Sequence, residues 1–268
     1  MIRALITGAT SGIGLASAQL LLRDGWQVTG LDRLEQPSAL QAAEWIVCDL
    51  SDPTAVNAAC DNLAAGPGFD ALVISAGIAG VGDPGTVLQV NFFSARQILR
   101  RLMPQVRKSG SVTIVSSGAG WRWMERKRAL LEMVGQADDA AALARAKGLA
   151  GSSAEAYNCS KELLCAYVAN QCLEHWPRGV RLNSVSPGSV DTPLIADFTT
   201  SMGAEAMRFS RETVGRDGTC AEIAEVIAFL TSDKASWING ADIKVDGGLT
   251  GALVGDAAAF PGWVTQGS

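Results

Sequence analysis

Residues 2–6 form a short run that is apolar except for Arg3, and it breaks at once into Thr7-Gly8-Ala9-Thr10-Ser11-Gly12-Ile13-Gly14. A helical pattern follows through Ala18, Leu21 and Leu22. A near-continuous apolar run suits a strand buried on both faces, as in a parallel sheet. The glycines let the chain turn tightly and bring its backbone close to a ligand. Unpaired N–H groups and the positive end of the dipole make the following helix N-terminus a site for phosphate. The spacing is G-x-x-x-G-x-G, not the more general G-x-G-x-x-G. The context of strand, turn and helix therefore carries the reading: an α/β chain with a pyrophosphate site near its start.

The rest of the chain repeats this alternation. Strands are expected over residues 26–31, 45–48, 70–75, 111–116, 180–185 and 242–245, which with the first makes seven. A long helix is expected over residues 87–107, with Asn91 in its first turns. Asp52-Pro53 reads as a helix cap and first helical position. Ser152-x-x-Glu155 and Thr219-x-x-Glu222 read as capping boxes. One doubly wound, Rossmann-type parallel sheet is expected, spanning residues 1–268 as a single domain. In such sheets ligands bind beyond the carboxyl ends of the strands. Asp32, Asp49-Leu50, Ala76-Gly77, Ser117 and Pro187-Gly188 all fall at such ends. Asp32 ends the second strand, where a carboxylate binds a ribose diol and repels a 2′-phosphate. Arg33 beside it would serve a phosphate, but a carboxylate facing a dianion is the costlier mismatch, so NAD is expected over NADP.

Composition narrows the class. Hydrophobic residues make up 48% and charged residues 18%, as in a globular chain. The net charge of −5, with no basic run longer than Arg126-Lys127-Arg128, argues against nucleic acid or an anionic membrane as main partner. No apolar stretch reaches membrane-spanning length, and the N-terminus lacks a signal-peptide layout. The six cysteines are scattered without a C-x-x-C pair, which suits reduced thiols and a cytoplasmic protein. The single histidine, His175, cannot build a metal site, so no metal is expected.

Tyr157-Asn158-Cys159-Ser160-Lys161 places a phenol and an ammonium four residues apart on one helix face. An adjacent ammonium favours the phenolate, and a tyrosine so tuned exchanges a proton with an alcohol or a carbonyl near neutral pH. Residues 121–151 depart from the pattern. They are rich in Ala, Arg, Lys and Glu, with apolar points at Trp123, Leu130, Leu131 and Val134, and read as two amphipathic helices joined near residues 135–138. The tail from Gly251 onwards is rich in Ala and Gly and carries Phe260 and Trp263.

Taken together, Thr7-Gly8-x-x-x-Gly12-x-Gly14, Asp49-Leu50, Ala76-Gly77, Asn91, Ser117, Tyr157-x-x-x-Lys161, Pro187-Gly188-x-Val190-x-Thr192 and Asp246-Gly247-Gly248 resemble the short-chain dehydrogenase/reductases over about residues 2–250. Two departures stand out. Ser75 replaces an asparagine of the family's Asn-Asn-Ala-Gly, and the gap from Ser117 to Tyr157 is far longer than usual. That insertion resembles the one in the branch holding bacterial 3α-hydroxysteroid dehydrogenase/carbonyl reductase and coniferyl-alcohol dehydrogenase.

The resemblance implies an NAD-dependent interconversion of an alcohol and a carbonyl compound, with an apolar or aromatic substrate. It implies Tyr157 as acid/base, Lys161 as its tuning cation and ribose ligand, Ser117 as hydrogen-bond donor to the substrate oxygen, and Asn91 as anchor of a proton relay. The cofactor would contact Gly8, Ser11, Gly12, Ile13, Gly14, Asp32, Asp49, Leu50, Ala76, Gly77, Pro187, Val190 and Thr192 besides Tyr157 and Lys161. A homo-oligomer is also implied, a dimer before a tetramer, with the insertion altering the family's usual four-helix pairing. Two rival readings are a non-catalytic NAD-binding regulator, against which the Ser-Tyr-Lys set argues, and a halohydrin dehalogenase, against which the glycine loop and Lys161 argue.

Overall fold

Strand β1, Arg3–Thr7, is buried along all but its first residue, as its apolar run requires. The computed structural model describes residues 1–255; Phe260 and Trp263 of the tail lie outside the described residues. After β1 come α1 (Gly12–Arg23), β2 (Gln27–Asp32), β3 (Glu44–Val47), α2 (Pro53–Ala65), β4 (Phe69–Ile74), α3 (Pro84–Leu88) and α4 (Ser94–Leu102). Next are β5 (Val106–Val115), α5 (Lys127–Gly135), α6 (Asp139–Leu149), α7 (Ser153–Gln171) and β6 (Arg181–Pro187). The chain continues with the two-residue β7 (Val190–Asp191), α8 (Ile195–Met202), α9 (Ala204–Val214), the two-residue β8 (Gly218–Thr219), α10 (Cys220–Thr231), β9 (Asp242–Val245) and α11 (Leu249–Gly255).

Seven strands form one sheet in the order β3-β2-β1-β4-β5-β6-β9, and every pairing is parallel. The short β7 and β8 pair with each other. Alternation along the central strands sorts their side chains to two cores. Leu72 and Ile74 join Phe92, Phe93, Leu163 and Leu164 on one face, whereas Ala71 and Val73 join Leu21, Ile223 and Ile227 on the other. The strand order reverses between β1 and β4, and a crevice opens there at the carboxyl ends. Thr7 ties the two strand ends together, its Oγ1 accepting from the N–H groups of Ser75 and Ala76 at 3.1 Å each.

The expected helix over 87–107 is broken. A π-helical turn, Gln89–Phe93, separates α3 from α4, and helical structure ends in a 3₁₀ turn, Met103–Gln105, that contains Pro104. Proline fits that turn but cannot extend the helix behind it. Residues 106 and 107 belong to β5 instead. The Tyr157 helix, α7, stops at Gln171. Thr219 and Glu222 make a full reciprocal capping box. Ser152 caps the Glu155 N–H at 3.2 Å, but its hydroxyl instead takes the Glu155 carboxylate, so only half of that box forms. Asp52 caps α2 by accepting from Thr54 N–H at 2.8 Å, with Pro53 first in the helix.

The insertion is the expected helix pair, α5 and α6. Leu130, Met133, Val134, Ala142 and Ala146 are buried in the core that also contains Phe92 and Leu163. Helix α5 packs against α7, and α6 against α3 and α7. Its hinge is clamped by Arg96 of α4, a fully buried side chain lying 4.9 Å from the Phe93 ring centre. Arg96 donates to the Met133 carbonyl at 2.8 Å and pairs with Asp139, which Arg100 also engages at 2.9 Å. These partners satisfy the two Nη groups of the buried guanidinium, whereas its Nε has no hydrogen-bond partner among the described residues.

Candidate active site

A cavity of about 870 Å³ runs along the carboxyl edge of the sheet. Lining it are the glycine turn, the ends of β2, β4, β5 and β6, the start of α7, the first residues of the insertion, and α8, α9 and α11. Among the expected site residues, Gly8, Ser11, Gly12, Ile13, Gly14, Asp32, Asp49, Leu50, Ala76, Gly77, Ser117, Tyr157, Lys161, Pro187, Val190 and Thr192 all border it. Asn91 does not border it; it lies beside Gly77 and Ile78.

The glycine turn has little room for change. A Cβ on Gly14 would overlap the Gly8 carbonyl, and one on Gly8, whose φ is +73°, would lie 2.8 Å from Ala76 Cα. Ser11 precedes α1 without capping it through its side chain. The first N–H groups of α1 are therefore left to the cavity, which is the donor set a pyrophosphate needs. At the far rim, Asp32 is held by the same turn: its Oδ2 accepts from Thr10 N–H at 3.1 Å and Thr10 Oγ1 at 2.8 Å, and its Oδ1 accepts from Leu34 N–H at 3.3 Å. Asp49 sits below the usual carboxylate range because it accepts hydrogen bonds from Ser51, first of all from its N–H at 2.8 Å. These features, the open helix N-terminus and the two acids along one rim, fit a dinucleotide.

Ser117 follows β5, and its hydroxyl accepts from Ala119 N–H at 3.2 Å. Ser117 and the Tyr157 phenol border the same cavity, near enough for Ser117 to lower the phenol pKa. Burial pushes the Tyr157 phenol up to about 12, and Ser117 offsets part of the rise. Burial also pushes the Lys161 ammonium down to about 8. Its Nζ donates to the Val115 carbonyl at 3.2 Å and lies 5.6 Å from the centre of the Tyr157 ring. In the chain by itself, then, desolvation outweighs the expected lowering of the phenol by Lys161. Below its shifted pKa Lys161 still carries its charge beside the phenol.

Asn91 lies in the π-helical turn, a feature often found at functional sites. Its Oδ1 accepts from Ile78 N–H at 2.8 Å, and its Nδ2 donates to Ile78 O at 3.0 Å and Ser160 Oγ at 3.2 Å. Asn91, Gly77 and Lys161 converge, since an atom at a Gly77 Cβ position would lie 3.2 Å from Asn91 Oδ1 and 3.6 Å from Lys161 Nζ. Ser160 links this group to the backbone of Tyr157 by donating to its carbonyl at 2.6 Å. Ser160, Thr7 and Thr10 were not among the expected site residues. Each is the direct neighbour of one that was, or lies within the glycine turn, and that adjacency is their only sequence signal.

Apolar groups cover the reacting pair. Phe198 of α8 meets the Tyr157 ring edge to face at 5.3 Å, and Trp121, Met202, Met207 and Leu253 line the same cavity.

The family profile described as short chain dehydrogenase matches residues 3–128, and that described as enoyl-(acyl carrier protein) reductase matches residues 140–250. A coniferyl-alcohol dehydrogenase of Pseudomonas sp. (strain HR199 / DSM 7063) is 32% identical over 93% of this chain and 97% of its own length. The chain belongs to the short-chain dehydrogenase/reductase family. Within that family it is also similar to the 3-alpha-hydroxysteroid dehydrogenase/carbonyl reductase of Comamonas testosteroni, 31% identical over 93% of this chain and 96% of that one. Its fold matches the crystal structure of the 3-alpha-hydroxysteroid dehydrogenase from Pseudomonas sp. B-0831 complexed with NADH, with a TM-score of 0.78, 32% identity, and 97% of this chain and 100% of that chain covered. As an oxidoreductase of this family, the chain shares the branch that its insertion pointed to. Among the described residues no helix is long and apolar enough to cross a membrane.

Proposed function

We propose that this protein is an NAD-dependent oxidoreductase that interconverts an alcohol and a carbonyl compound, acting as one domain on an apolar or aromatic substrate. The observation that carries the reading is the buried Tyr157 phenol, with Lys161 Nζ 5.6 Å from its ring centre and Phe198 over it, bordering one cavity together with Ser117. When bound, the nicotinamide supplies the hydride acceptor or donor. The chain supplies the proton chemistry. Tyr157 gives its phenolic proton to the carbonyl oxygen, or as phenolate takes it from the alcohol. Ser117 donates to the same oxygen as charge develops there. Lys161 places a positive charge beside the phenol. Asn91 holds the Gly77–Ile78 backbone against Lys161, and Pro187, Val190 and Thr192 flank the nicotinamide end. The apolar walls exclude water and favour a ring-bearing substrate, in line with the alcohols and hydroxysteroids named for its relatives. Assaying aromatic alcohols and hydroxysteroids, following NADH absorbance, tests the substrate class; activity confined to small polar alcohols would overturn it.

The cofactor reading rests on Asp32. With three hydrogen bonds fixing its carboxylate at the rim, the acid stands rigidly where a 2′-phosphate would meet it. NAD is expected to bind more tightly than NADP in a titration of both, and Asp32→Ala to narrow the gap. Equal or tighter NADP binding to the wild type would refute the assignment.

The reading includes a homo-oligomer, a dimer before a tetramer. The insertion packs on α7, one of the helices the family's four-helix pairing uses, so the contact is expected elsewhere, through β9 and α10. Light scattering after size exclusion is expected to give a dimer mass, lost on substitution along β9. A monomer at micromolar concentration would contradict it.

A further inference from the structure

The insertion borders the cavity at its beginning and, at its far end, through Leu149. Trp121, Arg122, Glu125 and Arg126 border the cavity, and so does Glu162 on α7. Glu162 directly follows Lys161, and its side chain is 8% exposed. A carboxylate so buried requires a partner. Arg126 provides it: Nε donates to Glu162 Oε2 at 3.0 Å, and Nη2 engages the same oxygen. Arg126 closes the 3₁₀ turn Trp123–Arg126, which has no buried residue. Trp123 of this turn packs, partly buried, against the core, while Met124 is exposed. The turn's internal brace is the Arg122–Glu125 pair at 2.6 Å, and its tie to the helix bearing Tyr157 is the Arg126–Glu162 pair. Helix α8 lines the same cavity with Phe198 and Met202 and also has no buried residue. One part of the cavity wall is thus tied to α7 by a charge pair, and the part formed by α8 has no charge pair to α7 among the described contacts.

We propose that Glu162 is a specificity-determining positioning residue, which through Arg126 fixes the Trp121–Arg126 segment as the rigid wall against which the ring of a bulky alcohol packs. The inference rests on the alcohol/carbonyl reading. The charge-assisted bonds hold half-buried Arg126 by two nitrogens on one oxygen of buried Glu162, and through them the position of Trp121 relative to Phe198 and Met202 is set. A small alcohol engages Ser117 and Tyr157 without spanning that width. Loosening the wall therefore weakens binding of large substrates and leaves the reacting groups in place.

The test uses full-length protein with two alcohols, cyclohexanol and a multi-ring secondary alcohol, measuring kcat, KM, NAD affinity and calorimetric binding of each alcohol. Glu162→Gln leaves the Arg126 charge uncompensated and can impair folding. The double variant Glu162→Gln/Arg126→Met removes both charges and keeps the test available. In both variants KM for the bulky alcohol is expected to rise about tenfold or more, the scale of a lost pocket contact. Its kcat, the KM for cyclohexanol and the affinity for NAD should change little. Arg126→Lys, which keeps the charge, is expected to recover most of the loss. An unchanged ratio of the two KM values overturns the proposal, and so does a parallel fall in kcat and NAD affinity, which would mark a merely structural pair. If the wild type binds the bulky alcohol without turnover, the chemical reading fails alone, and weaker calorimetric binding by the double variant still supports the wall. Equal binding, or no binding to the wild type, overturns the wall as well.

Discussion

Tyr157→Phe is expected to lower turnover by about a hundredfold or more, the usual scale of general acid/base catalysis, while dinucleotide affinity changes little. The substitution keeps the ring and its edge-to-face contact with Phe198, and it removes only the hydroxyl. The phenol, pushed up to about 12 by burial, is protonated throughout the physiological range. It is therefore ready as an acid for carbonyl reduction and scarce as a base for alcohol oxidation. The sign follows directly. Oxidation should climb as pH rises toward the phenol pKa, whereas reduction should not gain from alkali. Both dependences should vanish in the phenylalanine variant. Steady-state rates in both directions, from mildly acidic to alkaline buffer, check this; near-normal turnover in the variant would remove Tyr157 from the chemistry.

The second large effect belongs to Ser117. Its hydroxyl accepts from Ala119 N–H and borders the same cavity as Tyr157, where it is placed to serve both the substrate oxygen and the acid. Ser117→Ala is expected to lower kcat by about a hundredfold, as when one donor to a developing oxyanion is lost. It also removes the one influence that lowers the phenol pKa, so the alkaline rise in oxidation should move to higher pH. Because the two groups act on one oxygen, Ser117→Ala/Tyr157→Phe should be little worse than Tyr157→Phe alone. Full additivity in the double variant would show that they act separately.

The sheet and its edge were legible because each strand is an apolar run that ends in a residue with a specific use. Thr7-Gly8 after β1, Asp32 after β2 and Ser117 after β5 mark the carboxyl side without knowledge of the strand order. The insertion was legible for a similar reason, since Leu130 and Val134 recur at helical spacing and both are buried. The break at Asn91 was not. A π-helical turn adds one residue to a helix, and the apolar run through Val87, Val90, Phe92 and Phe93 continues across it unmarked. Helices α8 and α9 were also hidden. Between them they bury only Ser210, so their placement over Tyr157 comes from tertiary contact rather than periodicity. The Arg126–Glu162 pair joins residues 36 apart, and nothing local in either segment announces it. The tuning of Tyr157 was inferred from Lys161 alone, whereas the burial that dominates it is a property of the folded cavity.

The most direct test of the whole account is the stoichiometry of one reaction. Purified protein, NAD and a ring-bearing secondary alcohol are mixed, and NADH absorbance and the carbonyl product are measured together, with Tyr157→Phe as control. The account predicts one NADH per carbonyl formed, reversal when NADH and the ketone are supplied, and near-complete loss of both in the variant. Tight NAD binding with no NADH formed from any alcohol, and none consumed with any carbonyl compound, would contradict it and favour a non-catalytic dinucleotide-binding protein.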